Sequence, residues 1–207
     1  ASVFLISSLK FIFVKNLFCV VTCPPHKNIK SASLINFSAS SFVPKPHTPF
    51  QWEAQDSIEM ILAKQKHLKE SITTKKISFN YHASDTSYLE GVFARGDRKL
   101  CKVMLKAAER GFRFDGWSDC FSYDRWLESM AECGLDKDFY ATRTRGENEV
   151  FPWEHVQPAV SRKFLWREWE KAQAQELTHD CRRSTCTGCG VCQKLGVEII
   201  DYKRGEA

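Results

Sequence analysis

Hydrophobic and polar positions alternate in three different ways along this chain. The first 35 or so residues differ from the rest, and they begin with a largely apolar run of 21, ASVFLISSLKFIFVKNLFCVV, broken by Lys10 and Lys15. Those breaks leave runs too short to span a bilayer. The lysines also lie inside the apolar run rather than before it, which is wrong for a secretory signal. The segment reads as a buried strand or helix, or as sequence foreign to the domain that follows. Residues 34–43, LINFSASSFV, predict a strand whose β-favouring residues give way to small ones. Three prolines then fall within PKPHTPFQW, residues 44–52, which forbids helix and removes backbone donors.

Helical spacing dominates the rest. Asp56 to about Thr74 predicts a helix, with Asp56 and Glu59 at capping-box spacing and Ile58, Ile61, Leu62, Leu68 and Ile72 as its apolar stripe. KKISFNYH, residues 75–82, alternates as a strand, with Ile77, Phe79 and Tyr81 on one face. Asp85 starts a helix that Arg95-Gly96-Asp97 interrupts, and a second helix runs from Leu100 toward Gly111. Tyr123–Cys133 predicts another, stopped by Gly134. Residues 136–160 read as irregular, Ser161–Leu177 as a last amphipathic helix, and Val197–Ile200 as a short strand. The fold class is α/β to α+β, with a mainly helical C-terminal extension.

A length of 207 residues allows one medium domain or a domain with an appendage, and a hydrophobic fraction of 43% is enough for a core. The net charge of +5 is scattered, with no long basic run, so nucleic-acid binding has weak support. Arg113, Arg125, Arg143, Arg145, Arg162 and Arg167 lie near aromatic residues, a combination that can stack bases, although scattered arginines usually form a solvated face. Nine cysteines, an odd number without a signal sequence, fit a reducing cytosol with one metal site better than a disulfide framework.

The strongest chemical signal is CRRSTCTGCGVC, in which Cys181, Cys186, Cys189 and Cys192 are separated by four, two and two residues. Thiolates so spaced can turn onto one small centre, with Gly188 and Gly190 supplying the tight bends. Three readings stand: a cubane iron–sulfur cluster, favoured by two successive two-residue gaps, a structural zinc, and thiols that are free or disulfide-bonded. The proline loop is the second candidate. Rigid and extended, it carries Lys45, His47, Thr48 and Gln51 at a strand end, where such side chains meet substrate, or else where the aromatics Phe50 and Trp52 simply pack. His82 with Asp85, and Glu154 with His155, are weaker proton-transfer pairs that read better as surface or capping residues. Phe112, Phe114, Trp117 and Phe121 fit either core packing or a docking face, core packing being the usual outcome.

The run SFVPKPHTPFQWEAQD, followed in order by FARGDRKL, FDGWSD, LDKDFY and the cysteine knuckle, resembles the C-terminal part of radical S-adenosylmethionine (radical SAM) proteins that also carry a cobalamin-binding-like domain nearer the N-terminus. The resemblance covers about Phe37 to Cys192. It implies that residues 37–82 are the end of a partial β/α barrel, with the proline loop on the cofactor and substrate side. Residues 83–177 would be a helical extension, and 178–207 the metal knuckle and tail. Residues 1–36 do not match and stand apart as a divergent or foreign segment. The CxxxCxxC loop that holds the catalytic 4Fe–4S cluster is absent, as are the glycine-rich S-adenosylmethionine contacts. The nearest likeness, CVVTCPPH, puts His26 where the third cysteine belongs. The chain is therefore expected to be a cytoplasmic fragment of such an enzyme, inactive alone, with the missing N-terminal barrel half as its partner. S-adenosylmethionine would bind only in the intact parent. The alternative is a non-catalytic zinc-binding interaction module, with RNA as one candidate partner.

Overall fold

The computed structural model describes residues 2–6, 9–14, 17–22 and 35–199, with side chains from Ile35 to Ile199. The fold is mixed α/β and mostly helical. Three strands, β1 (Ser2–Ile6), β2 (Leu9–Val14) and β3 (Leu17–Thr22), form an antiparallel meander that joins β4 (Ile35–Ser41) antiparallel. Of the initial apolar segment, residues 2–6, 9–14 and 17–22 are thus strand, and Lys10 lies within β2. On its other edge β4 pairs in parallel with β5 (Ile77–Tyr81), Phe37 opposite Phe79. Parallel neighbours need a crossover, and α1 (Ile58–Ser71) supplies it. Ala39 is buried with Phe37, Phe79 and Leu68 of α1 around it, and the two phenylalanine rings stack at 5.2 Å.

The chain divides into two compact units. The first comprises residues 1–43 and 54–143, and the second residues 44–53 and 144–207. The proline loop thus belongs with the C-terminal part of the chain.

In the first unit, α2 (Ser84–Ala94), α3 (Leu100–Glu109), α4 (Tyr123–Glu132) and α5 (Lys137–Ala141) enclose a core of Tyr88, Val92, Leu100, Val103, Met130 and Tyr140. The predicted α2–α3 break falls where expected, and Gly111 and Gly134 take the left-handed conformation that ends α3 and α4. Arg95, 1% exposed, donates to the carbonyls of Ala141 and Arg143 at 2.6 and 2.7 Å. A buried cation here replaces the backbone partners that a chain reversal leaves without donors. Burial, and then the Asp138 carboxylate that its hydroxyl meets, push the Tyr88 phenol pKa upward.

Several local expectations changed. The α1 cap is Ser57, whose Oγ accepts from Met60 N at 3.3 Å, while Asp56 pairs with Lys64 at 2.5 Å. Both residues suit an N-cap, and the nearer one to Ile58 took the position. Leu62 is half exposed, because α1 buries only Ile61 and Gln65. The stretch read as irregular contains α5, a single turn capped by Asp136. Val197–Ile199 form no strand, and Ile200 lies outside the described residues. Phe114 and Trp117, expected in a core, are 72% and 71% exposed, whereas Phe112 packs edge-on against Trp126. No helix among the described residues is long and apolar enough to cross a membrane.

Gly91 shows how tightly α2 is approached. A Cβ built there would sit 1.8 Å from Gln55 Oε1, while Gln55 Nε2 donates to Ser87 O at 2.7 Å. Glycine costs a helix interior about 1 kcal/mol relative to alanine, and here the space it leaves is filled by a buried carboxamide. Gly91→Ala should therefore destabilise by about 1 kcal/mol in urea unfolding, the lost buried hydrogen bond outweighing the helix gain. In a Gln55→Ala background the sign should reverse. Stabilisation by Gly91→Ala in both backgrounds would show that the carboxamide does not set the constraint.

Candidate functional site

The second unit is built on the proline loop. Thr48 Oγ1 donates to Lys45 O at 2.8 Å and closes the loop's turn, and His47 takes φ 57°, a left-handed conformation unusual for a residue with a Cβ. A 3-10 turn, Pro49–Trp52, then buries Gln51 and Trp52. Proline at the start of that turn sacrifices no hydrogen bond, since the first N–H groups of a helix have no internal partner. Gln51 Oε1 accepts from His47 N at 3.1 Å and from Trp153 Nε1 at 2.9 Å. Trp52 is fully buried against Phe151 and Trp166, and its carbonyl accepts from Arg145 N at 2.9 Å.

The helix α6 (Arg162–Gln173) completes this core with Leu165 and Phe164. Ser161 caps it, its Oγ accepting from Phe164 N at 3.2 Å. Trp169 Nε1 and Gln173 Nε2 reach Glu53 Oε1 at 2.7 and 2.6 Å, tying the helix to the end of the proline loop.

The knuckle docks on the start of α6. Ser161 N donates to Cys189 O at 2.9 Å, and Arg167 Nη2 donates to Thr187 O at 2.5 Å. Gly188 and Gly190 have φ of 73° and 95°, and a Cβ on Gly190 would stand 3.3 Å from Ala159 O. Both conformational freedom and close approach thus select glycine at 190. A short helix, α7 (Val191–Leu195), follows, carrying Cys192 and Lys194. Sequence reading missed α7; Gly190 and Gly196, both left-handed and directly flanking it, were the available signal.

The four thiols are free. Gly188 N lies 3.4 Å from Cys186 Sγ, an amide-to-sulfur hydrogen bond of the kind that stabilises thiolate charge. Among the described residues no three His, Cys, Asp or Glu side chains are gathered around one point. The thiols lie in one short run with left-handed glycines between them and an amide directed at one sulfur, but they are not gathered onto a single centre. Upstream, Arg182 engages the Asp180 carboxylate through its guanidinium and backbone N–H, which holds the carboxyl at about 2.

A cleft of about 330 Å³ opens in this unit. His47 and Gln51 line it from the proline loop, Trp153 and Pro158 from the segment before α6, Arg162 from α6 and Lys194 from α7. Lys45 and Thr48 are not among its lining residues. His47 Nε2 is buried there without a protein hydrogen-bond partner, and burial lowers the imidazole's pKa. Arg162 is engaged with Glu154 and with the carbonyls of Glu147 and Glu149.

The other sequence candidates are occupied locally. His155 Nδ1 meets Pro152 O at 3.0 Å, and Asp85 Oδ1 accepts from Thr86 N at 2.7 Å. Arg125 covers the Phe112 ring at 4.1 Å, and Arg145 is buried over Phe151 and Trp153. Cys23 and His26 lie outside the described residues, as does the side chain of Cys19. The chain matches no protein-family model, no curated protein and no solved structure.

Two outcomes follow from this geometry. Gln51→Ala leaves two N–H groups without their acceptor and should cost about 2 kcal/mol of stability in urea unfolding. The loss should shrink in a Trp153→Phe background, where one of the donors is already gone, and equal losses in both backgrounds would contradict the shared acceptor. His47 should titrate by NMR below the ordinary histidine value of about 6.5. Because the unfolded chain then takes up the proton first, this residue's contribution makes stability fall as pH drops below that value and recover as pH rises. A His47 titration at or above the ordinary value would remove the effect.

Proposed function

We propose that this chain is the C-terminal portion of a radical SAM iron–sulfur enzyme, supplying a substrate-side cleft and an auxiliary cysteine-ligated centre. The observation that carries the reading is convergence. His47 and Gln51 come from the loop with the most specific family likeness, and Lys194 comes from the cysteine knuckle, yet all three line one cleft. The parallel β4–α1–β5 unit is the step that a β/α barrel repeats, although β4's other neighbour, β3, runs antiparallel to it. The proline loop leaves β4 directly, as functional loops do in barrels.

Cys181, Cys186, Cys189 and Cys192 would hold the auxiliary group, an iron–sulfur cluster that serves structure or electron transfer. The chain's own residues do the rest. Gln51 fixes the loop, His47 presents a neutral imidazole, and the aromatic pair Phe151 and Trp153 excludes water from one wall. Chemistry on S-adenosylmethionine belongs to the barrel half that carries the CxxxCxxC loop, which is the partner this reading requires.

A second reading is a zinc-bound interaction module. The docking of Cys189 O on Ser161 N favours it, because a knuckle packed on a helix start is a structural arrangement in its own right.

Anaerobic purification of the chain separates the two. Iron and sulfide in the protein, with a brown colour lost on Cys189→Ala and Cys192→Ala, support the cluster. One zinc per chain and no colour support the module. The chain alone should not reductively cleave S-adenosylmethionine to 5′-deoxyadenosine, and cleavage by it would overturn the fragment reading.

A further inference from the structure

The helix α3 carries two apolar faces, and the first unit uses only one of them. Leu100, Val103 and Ala107 are buried. Cys101, Met104, Leu105 and Ala108 are exposed, Met104 at 52% and Leu105 at 63%. Their spacing, three residues, then one, then three, places them on one continuous stripe. At 3.6 residues per turn that stripe covers about 100° of the helix surface, the width a helix ordinarily gives to a core. Single apolar residues on a surface need no explanation, whereas a contiguous face of them marks an interaction site.

The charges beside the stripe are placed unevenly. Lys102 and Glu109 are both exposed and lie on the same flank of it, next to Leu105, with Lys102 near the start of α3 and Glu109 at its end. Lys106, further round, is taken up by Glu132 at 3.1 Å. The opposite flank of the stripe is the side that α3 buries in its own core.

That placement selects an occupant. Two copies of the stripe packed in parallel would set Lys102 against Lys102 and Glu109 against Glu109. A two-fold axis perpendicular to the helices, midway between Met104 and Leu105, makes them antiparallel. The same flanks then meet with their ends exchanged, so that Lys102 of one copy stands beside Glu109 of the other, twice by symmetry. Met104 faces Leu105 of the other copy at the centre, and Cys101 faces Ala108 at each end. The stripe is thus complementary to itself in shape class and in charge. A face on one helix is small beside the roughly 800 Å² that each partner gives to a standard interface, so the association is weak and depends on concentration.

We propose that the outer face of α3 is a self-association surface, on which a second copy of this chain packs its own α3 antiparallel with Lys102 of each copy against Glu109 of the other. The proposal goes beyond the fragment reading and needs neither the missing barrel half nor a metal.

Sedimentation velocity on the whole chain, run from micromolar to millimolar concentration with reductant to keep the cysteines as thiols, measures the association. A reversible monomer–dimer equilibrium is expected. Leu105→Gln replaces a side chain that lies mostly in solvent, so the circular dichroism spectrum should not change. It removes an apolar contact from both copies and should weaken the dimer at least about ten-fold. Lys102→Glu and Glu109→Lys should each weaken it about three-fold or more, because each turns two attractive pairs into repulsive ones. Both reversals put acid at the start of α3 or base at its end, which favours the helix in the monomer. The double variant carrying both reversals should associate as the wild type does.

A dimer that Leu105→Gln leaves unchanged uses another surface and overturns the proposal. Single reversals without effect, or a double variant no tighter than the single ones, overturn the antiparallel pairing of Lys102 with Glu109. A chain that stays monomeric throughout overturns the second copy as occupant, and it leaves the fragment and module readings as they stand.

Discussion

Two N–H groups, one from His47 and one from the ring of Trp153, 102 residues beyond Gln51, meet on the same buried oxygen of Gln51. The second unit depends on this shared acceptor. The proline loop has few donors with which to hold itself, and it contains no helix or strand beyond one 3-10 turn. Gln51 closes the loop on itself through the short bond to His47 N, and anchors it to the aromatic segment through Trp153. The entropy of bringing together positions so distant rises only slowly with separation. Trp52 and Phe151, buried beside the same junction, contribute the apolar burial that makes such closure favourable. A carboxamide suits the role because its oxygen offers two lone pairs and carries no charge to desolvate.

A second theme is the use of arginine where backbone reverses direction. In the first unit Arg95 reaches two carbonyls after α5. In the second, Arg162 reaches two carbonyls ahead of the cleft, and Arg145 lies buried against aromatic rings. Each guanidinium offers five N–H donors in a fixed fork, so one side chain can serve a stretch of loop that has no ladder of its own. Arg95 and Arg145 are buried, and buried cations are costly to leave unmatched, which makes their loops specific in conformation rather than merely compact.

Local chemistry was legible in the sequence, and distant pairing was not. Gly111 and Gly134 marked helix ends, Ser161 marked the start of α6, and alternation found β5, because each depends on neighbours a few residues away. The knuckle spacing was equally plain, as was the stiffness of the proline loop. The division of the chain was hidden, since nothing in PKPHTPFQW says that residues beyond 144 will enclose it. Nothing local to Gly91 shows that Gln55 fills the space beside it. The short helix α7, and the place of Lys194 on the cleft wall, come from the docking of the knuckle on α6. Phe114 and Trp117 fooled composition in the opposite sense, as large apolar residues that tertiary packing leaves outside.

Ser161 joins two structures at a single residue, its side chain capping α6 and its backbone N–H holding Cys189. Most small thiolate sites gain their shape only when metal arrives, so that losing the metal means losing the fold. Here the turn between the last three cysteines is held by a helix whose own stability comes from an aromatic core. The conformation of this turn therefore follows the folding of α6, so that unfolding the helix releases the turn and folding it sets Cys189 in place.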